Sequence, residues 1–197
     1  MIASSMPGQT ARKTRIIIAI TGASGALLGV RALELLGESE VETHLVVSTA
    51  ACLTITRETG RRNEDITALA SCRYAPDDLG AAIASGSFVT QGMLIIPCSI
   101  KTLSAVANSY ADNLVARAAD VCLKEGRPLL LAVREAPLHR GHLRLMDLAA
   151  RAGAIIYPPI PFFYSDPQSL DEALTQTVGR MLLRMGIDNP NYPRWVG

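Results

Sequence analysis

Arg15-Ile16-Ile17-Ile18-Ala19-Ile20-Thr21-Gly22-Ala23-Ser24-Gly25-Ala26 is the stretch that decides the fold. After Arg15 its first half is an unbroken apolar run, mostly β-branched, with no polar alternation. Such a run suits a strand covered on both faces. A glycine-containing turn follows, and then Ala26, Val30, Leu33 and Leu36 recur at helical spacing. The unit therefore reads as buried strand, tight turn, amphipathic helix.

The same alternation continues along the chain. Val41–Ser48 reads as a second strand and Ala50–Glu58 as its helix. Residues 61–92 are less regular, with Pro76 and several glycines. Met93–Pro97 is a third buried strand, Pro128–Val133 a fourth and Ala154–Tyr157 a short last one. Helical spacing marks Ala111–Cys122, Gly141–Ala152 and Leu170–Met185. Strands apolar on both faces and separated by helices predict a parallel sheet with helices on each side. The fold class expected is α/β: a single doubly wound, Rossmann-like (flavodoxin-like) domain with a central parallel sheet. Residues 1–14 read as a flexible leader and 15–197 as that domain.

Composition limits the function classes. The 197 residues carry 19 Lys and Arg against 18 Asp and Glu, and 49% are hydrophobic. That is too apolar and too evenly charged for a disordered chain. A net charge of +1 offers no attraction to nucleic acid or to a membrane surface. The longest apolar runs have strand length, far short of a membrane span. Cys52, Cys72, Cys98 and Cys122 lack C-x-x-C spacing and read as reduced, mostly buried thiols, which suits the cytoplasm. His44 lies in a strand, and His139 and His142 lack a carboxylate or thiol ligand set, so no metal is expected.

Doubly wound sheets bind ligands beyond the carboxyl ends of their strands. The first such loop, Thr21–Ala26, has glycines that admit close backbone approach and leads into a helix N-terminus that suits a phosphate. It matches neither G-x-G-x-x-G nor a P-loop, and a tight turn without ligand explains it equally. The second strand ends at Ser48 without an acidic residue for a dinucleotide ribose, which favours a mononucleotide. In Pro97-Cys98-Ser99-Ile100-Lys101-Thr102, hydroxyls and a lysine crowd a strand end. They suit a phosphate or a polar ring edge, or Ser99 simply caps a helix. Arg134 and Glu135 follow an all-apolar strand. Arg134 suits an anion, and Glu135 suits acid–base work if partial burial raises its pKa; a rim ion pair is the other reading. Asn113, Arg117, Asp120 and Lys124 share one helix face, which on spacing alone reads as solvated.

Taken together, these loops resemble the flavin prenyltransferases of the UbiX/Pad type. The segments that carry the resemblance are Ile20–Ala26, Ala84-Ser-Gly-Ser-Phe88, Pro97–Thr102, Ala116–Val121 with Leu123-Lys-Glu125, Val133-Arg-Glu-Ala-Pro137 and Pro161-Phe-Phe-Tyr164. They run in order over nearly the whole chain, from Arg15 to Trp195.

The resemblance implies transfer of a dimethylallyl group from dimethylallyl monophosphate, or the pyrophosphate in some members, to reduced FMN. Alkylation at flavin N5 precedes ring closure at C6. The prenylated FMN then serves a UbiD-type decarboxylase. Carried over by position, Gly22, Ala23, Ser24, Ser48, Ser99, Ile100, Lys101, Thr102 and Arg134 match the FMN-binding set. Ser85, Arg117, Lys124, Tyr164 and Arg180 match the allyl-phosphate set, and Trp195 a closing aromatic. Glu135 matches an acid/base residue and Glu58 a glutamate given by a neighbouring subunit; Ser24, Lys124 and Tyr164 join them as the catalytic set. A homo-oligomer, often a dodecamer, is implied, with no metal. Where many relatives read F-Y-H-x-P, this chain has Phe163-Tyr164-Ser165-Asp166-Pro167. A non-catalytic flavin carrier of a decarboxylase, a flavin-dependent cysteine-type decarboxylase and an NAD-binding oxidoreductase are the alternatives.

Overall fold

Ile16, Ile18 and Ile20 point to one side of their strand and Ile17 and Ala19 to the other, and each seeds its own apolar cluster. The computed structural model describes residues 13–190 together with Tyr192 and Arg194. Six parallel strands form the sheet: β1 (Arg15–Ile20), β2 (Glu42–Val47), β3 (Cys72–Tyr74), β4 (Met93–Cys98), β5 (Leu129–Val133) and β6 (Ile155–Ile156). Their order is β3-β2-β1-β4-β5-β6, the Rossmann arrangement. In register, Ile18 pairs with Leu45 on one side and with Leu94 on the other. All five of those β1 residues are essentially unexposed.

On the Ile16/Ile18/Ile20 face lie α1 (Ala26–Gly37), α2 (Thr49–Thr59), the short α3 (Asn63–Thr67) and α7 (Leu170–Arg184). On the Ile17/Ala19 face lie α4 (Ile100–Ala107), α5 (Leu114–Lys124) and α6 (Arg140–Arg151). Close approach of α1 to the sheet depends on Gly29. A β-carbon there would come within 2.8 Å of the Ile20 side chain and 2.5 Å of the Ile96 carbonyl. Winding reverses between β1 and β4, which opens a crevice beyond their carboxyl ends.

The doubly wound α/β class is the one expected. Differences concentrate in residues 61–92, which hold α3, β3 and a 3₁₀ turn at Ala82–Ala84. β3 has three residues on the sheet edge, too few and too mixed in burial to carry a period. Ala111 lies outside its helix, because Asn113 caps α5 by accepting from the Ala116 amide at 3.0 Å. Cys98 ends β4 rather than following it. The expected leader lies almost wholly outside the described residues. Among these residues, no helix is long and apolar enough to cross a membrane.

Candidate functional site

The two central loops are tied together by a residue that the sequence reading passed over. Thr21 Oγ1 donates to the Pro97 carbonyl at 2.7 Å and accepts from the Ser99 amide at 2.8 Å. This side chain is 1% exposed, so both bonds are made away from water, where they count most. They fix the first loop against the third across the switch point.

Three helices begin at the crevice with side-chain caps. Ser48 accepts from the Ala51 amide, Ser99 from the Thr102 amide and Asn113 from the Ala116 amide. The capping reading of Ser99 is therefore correct, and its hydroxyl also lies 3.1 Å from that of Thr102. α1 has no such cap. Gly25 enters it at φ +101, and the Glu58 carboxylate accepts instead from the Gly25 amide (2.9 Å) and the Ala26 amide (2.7 Å). This corrects the expectation of an open phosphate-binding N-terminus at α1, since a carboxylate already meets those donors. It also places Glu58 on the first loop of its own chain, so reaching Gly25 requires no second subunit.

A cavity of about 600 Å³ opens where these loops meet. Gly22, Ala23, Ser24, Ser48, Ser99, Ile100, Lys101, Thr102 and Arg134 all line it, and so does Glu135. The volume lies within the range of small-molecule sites. Gly22 lets the first loop pack closely on α2, since a β-carbon there would collide with the Ala50 side chain. Among the described residues, neither Lys101 nor Arg134 pairs with a carboxylate. The rim pair of Arg134 with Glu135 is therefore not made. Glu135 is exposed and accepts only from the Ala136 amide, at 3.0 Å, so this chain by itself does not supply the partial burial foreseen for it. Pro76, Asn113 and Ala116 also line the cavity and were missed. Asn113 before an apolar helical run carries a capping signature that marks it as a loop residue at this edge.

The allyl-phosphate set divides in two. Arg117 donates through Nε to the Ala84 carbonyl at 3.2 Å and pairs through Nη1 with Asp120 at 2.9 Å. Lys124 pairs with Glu125. Ser85 lies in the adjoining loop, its hydroxyl 2.9 Å from that of Ser87. A β-carbon on Gly86 would fall 2.9 Å from Lys124 Nζ. These residues gather on the α5 side of the sheet. Tyr164 and Arg180 gather on the α7 side. The Tyr164 hydroxyl lies 2.7 Å from that of Tyr192, and the Arg180 guanidinium sits 5.4 Å from the centre of the Tyr192 ring. The bond to Tyr192 raises the Tyr164 pKa, and burial pushes Tyr157 nearby up to about 12. Within one chain the two halves of the expected allyl-phosphate set thus lie on opposite faces of the sheet. Trp195 lies outside the described residues.

Ser165, at the departure from F-Y-H-x-P, donates to the Phe162 carbonyl at 2.7 Å and bonds Gln176 on α7. A hydroxyl thus ties this turn to α7. All four cysteines are free thiols; Cys98 and Cys122 are buried and Cys52 and Cys72 half-buried. Burial pushes Cys98 up strongly and Cys122 up to about 12, away from reactivity. Among the described residues, Glu42, His44 and Cys72 offer three ligand atoms within 4.8 Å of one another. His44 already bonds Tyr74 and Glu42, each at 2.9 Å, and Arg15 holds the same Glu42 oxygen at 3.2 Å.

Comparison with known proteins agrees with this geometry. The Flavoprotein family matches residues 4–161. The flavin prenyltransferase UbiX of Escherichia coli K12 is 53% identical over 186 residues, 93% of this chain and 98% of its own length. Flavin prenyltransferase PAD1 of Saccharomyces cerevisiae is 48% identical, over 94% of this chain and 77% of its own. A crystal structure of AnUbiX (PadA1) with FMN and dimethylallyl pyrophosphate superposes with TM-score 0.92 at 45% identity, covering 94% of this chain and 99% of that one. A chain this similar along nearly its whole length, with a cavity at the switch point of its sheet, belongs to the UbiX-type flavin prenyltransferases of the Flavoprotein family.

Proposed function

We propose that this chain transfers the dimethylallyl group of dimethylallyl monophosphate to reduced FMN, and that the prenylated FMN serves a UbiD-type decarboxylase. The observation that carries the reading is the cavity at the switch point, with Glu135 on its wall beside Lys101 and Arg134, which pair with no carboxylate among the described residues. The residues present fit a flavin mononucleotide. Gly22 and Ile100 line the wall beside a flat ring, Ile100 giving it an apolar contact, and backbone amides and hydroxyls of Ser24, Ser99 and Thr102 suit polar edges. Lys101 and Arg134 suit a phosphate. When bound, reduced FMN supplies the nucleophilic N5 and C6 that take the allyl group.

The chain's own groups do the rest. Cleavage of an allyl phosphate leaves negative charge on the departing oxygen, and fixed cations lower that barrier. Arg117, Lys124 and Arg180 are those cations, and the Tyr164 hydroxyl donates to the phosphate. Glu135 moves the proton released at ring closure, through the carboxylate oxygen not engaged by the Ala136 amide. Glu58 holds the first loop in shape through the Gly25 and Ala26 amides, and Ser24 lies on that loop at the cavity wall. Arg117 with Lys124 and Arg180 with Tyr164 lie on opposite sheet faces, so one phosphate meets both groups only when a second subunit supplies one of them. A homo-oligomer follows, and a UbiX-like relative from Escherichia coli O157:H7, 47% identical, is dodecameric. We assign the protein to the cytoplasm, where its free thiols stay reduced.

Anaerobic incubation with reduced FMN and dimethylallyl monophosphate tests the reading. Mass spectrometry is expected to show FMN heavier by one prenyl unit. An unchanged flavin mass would overturn it. Glu135→Gln is expected to slow product formation by about a hundredfold or more while FMN affinity holds. A non-catalytic flavin carrier predicts no change from that substitution.

A further inference from the structure

The loop Ala84–Phe88 is held at alternate residues. Arg117 Nε donates to the Ala84 carbonyl at 3.2 Å. Arg127 donates through Nη1 to the Phe88 carbonyl at 2.8 Å and through Nη2 to the Gly86 carbonyl. The Phe88 ring is gripped from two sides. The Arg15 guanidinium lies 4.8 Å from its centre, and the His44 ring meets it edge-on at 5.0 Å. Ser85 and Ser87 remain exposed between these anchors.

Arg127 is also fixed at its backbone, where its amide donates to the Cys122 carbonyl at 2.8 Å just past the end of α5. One residue therefore spans the helix end that carries Lys124 and the loop that carries Ser85. A guanidinium is the side chain suited to this, because its planar fork holds two carbonyls at once. Among the described residues no carboxylate pairs with Arg127. Two of its donors go to the loop.

We propose that Arg127 is a positioning residue of the donor site. By clamping Gly86 and Phe88 it sets Ser85 at a fixed place beside Arg117 and Lys124, so the allyl phosphate meets an ordered cradle. Without the clamp, the loop must be ordered by the donor itself, and that conformational cost appears as weaker donor binding. This rests on the reading that Ser85, Arg117 and Lys124 receive the donor phosphate.

Steady-state kinetics of Arg127→Met and Arg127→Lys test it, with dimethylallyl monophosphate varied at saturating reduced FMN. Arg127→Met is expected to raise the donor KM about tenfold, leaving kcat within about threefold and the FMN Kd within about twofold. Arg127→Lys, able to hold one carbonyl, should fall between it and the parent. An unchanged donor KM in Arg127→Met overturns the proposal. So does a parallel loss of FMN affinity and melting temperature, which means that Arg127 supports the fold at large. Arg117→Met serves as the reference. If it leaves the donor KM unchanged, the donor-site reading itself fails; if it raises KM and Arg127→Met does not, only the role of Arg127 fails.

Discussion

The switch-point cavity and the groups proposed to hold the allyl donor are built from the same kinds of residue but assembled differently. Around the cavity, β1, β2, β4 and β5 deliver their loops to one crevice, and Thr21 bolts two of them together. Its cations, Lys101 and Arg134, are unpaired among the described residues. On the donor side the groups sit on opposite faces of the sheet. Arg117 and Lys124 each carry an intrahelical or neighbouring carboxylate, Asp120 and Glu125. A parallel sheet explains the contrast: its topology gathers strand ends into one crevice, while its two helical layers are kept apart by the sheet itself. On the proposed assignment, the acceptor site belongs to one fold and the donor site to an assembly.

The largest expected effect breaks this comparison if it is wrong. Arg117→Met and Arg180→Met should each lower kcat/KM by about a hundredfold or more with FMN binding intact. Protomers of the two variants, mixed and reassembled, should regain activity, because some sites then draw an intact α5 group from one chain and an intact α7 group from another. Absence of recovery would mean that both groups act within one chain. A smaller effect separates the cavity from the donor side. Gly22→Ala should weaken FMN binding by about 1–3 kcal/mol, since its new methyl meets Ala50, as flavin fluorescence titration would read.

The smallest effect concerns the support under Phe88. Burial pushes the His44 pKa below 6.5, so the unfolded chain takes up its proton first as pH falls. The contribution of His44 is complete above the unfolded value and is lost as pH drops through the folded one. Urea unfolding at about pH 7.5 and about pH 5.5 should show lower stability at the acid end, and His44→Gln should flatten that difference.

Legibility in the sequence followed burial and contiguity. β1, β4 and β5 are largely apolar runs and β2 ends in one, and the sequence places all four within about two residues, the usual uncertainty of element ends. The cavity residues were legible because each motif is a contiguous strand-end loop. β3 was not, as three edge residues hold no period. Thr21 was passed over as a site residue, because its role lies in bonds across 76 and 78 residues of chain. The service of Glu58 to the α1 amides was equally hidden.

The sequence by itself determined the doubly wound class, the placing of chemistry at strand ends and the flavin prenyltransferase likeness, because hydrophobic period and contiguous motifs are local properties. Only the tertiary structure decided that Glu58 fills the N-terminus of α1, that the polar face of α5 leans on the Ala84–Phe88 loop, and that the donor residues fall on two faces of the sheet. Those facts depend on which segments meet across the sheet, and helical spacing reports a residue's own face without saying what stands opposite it.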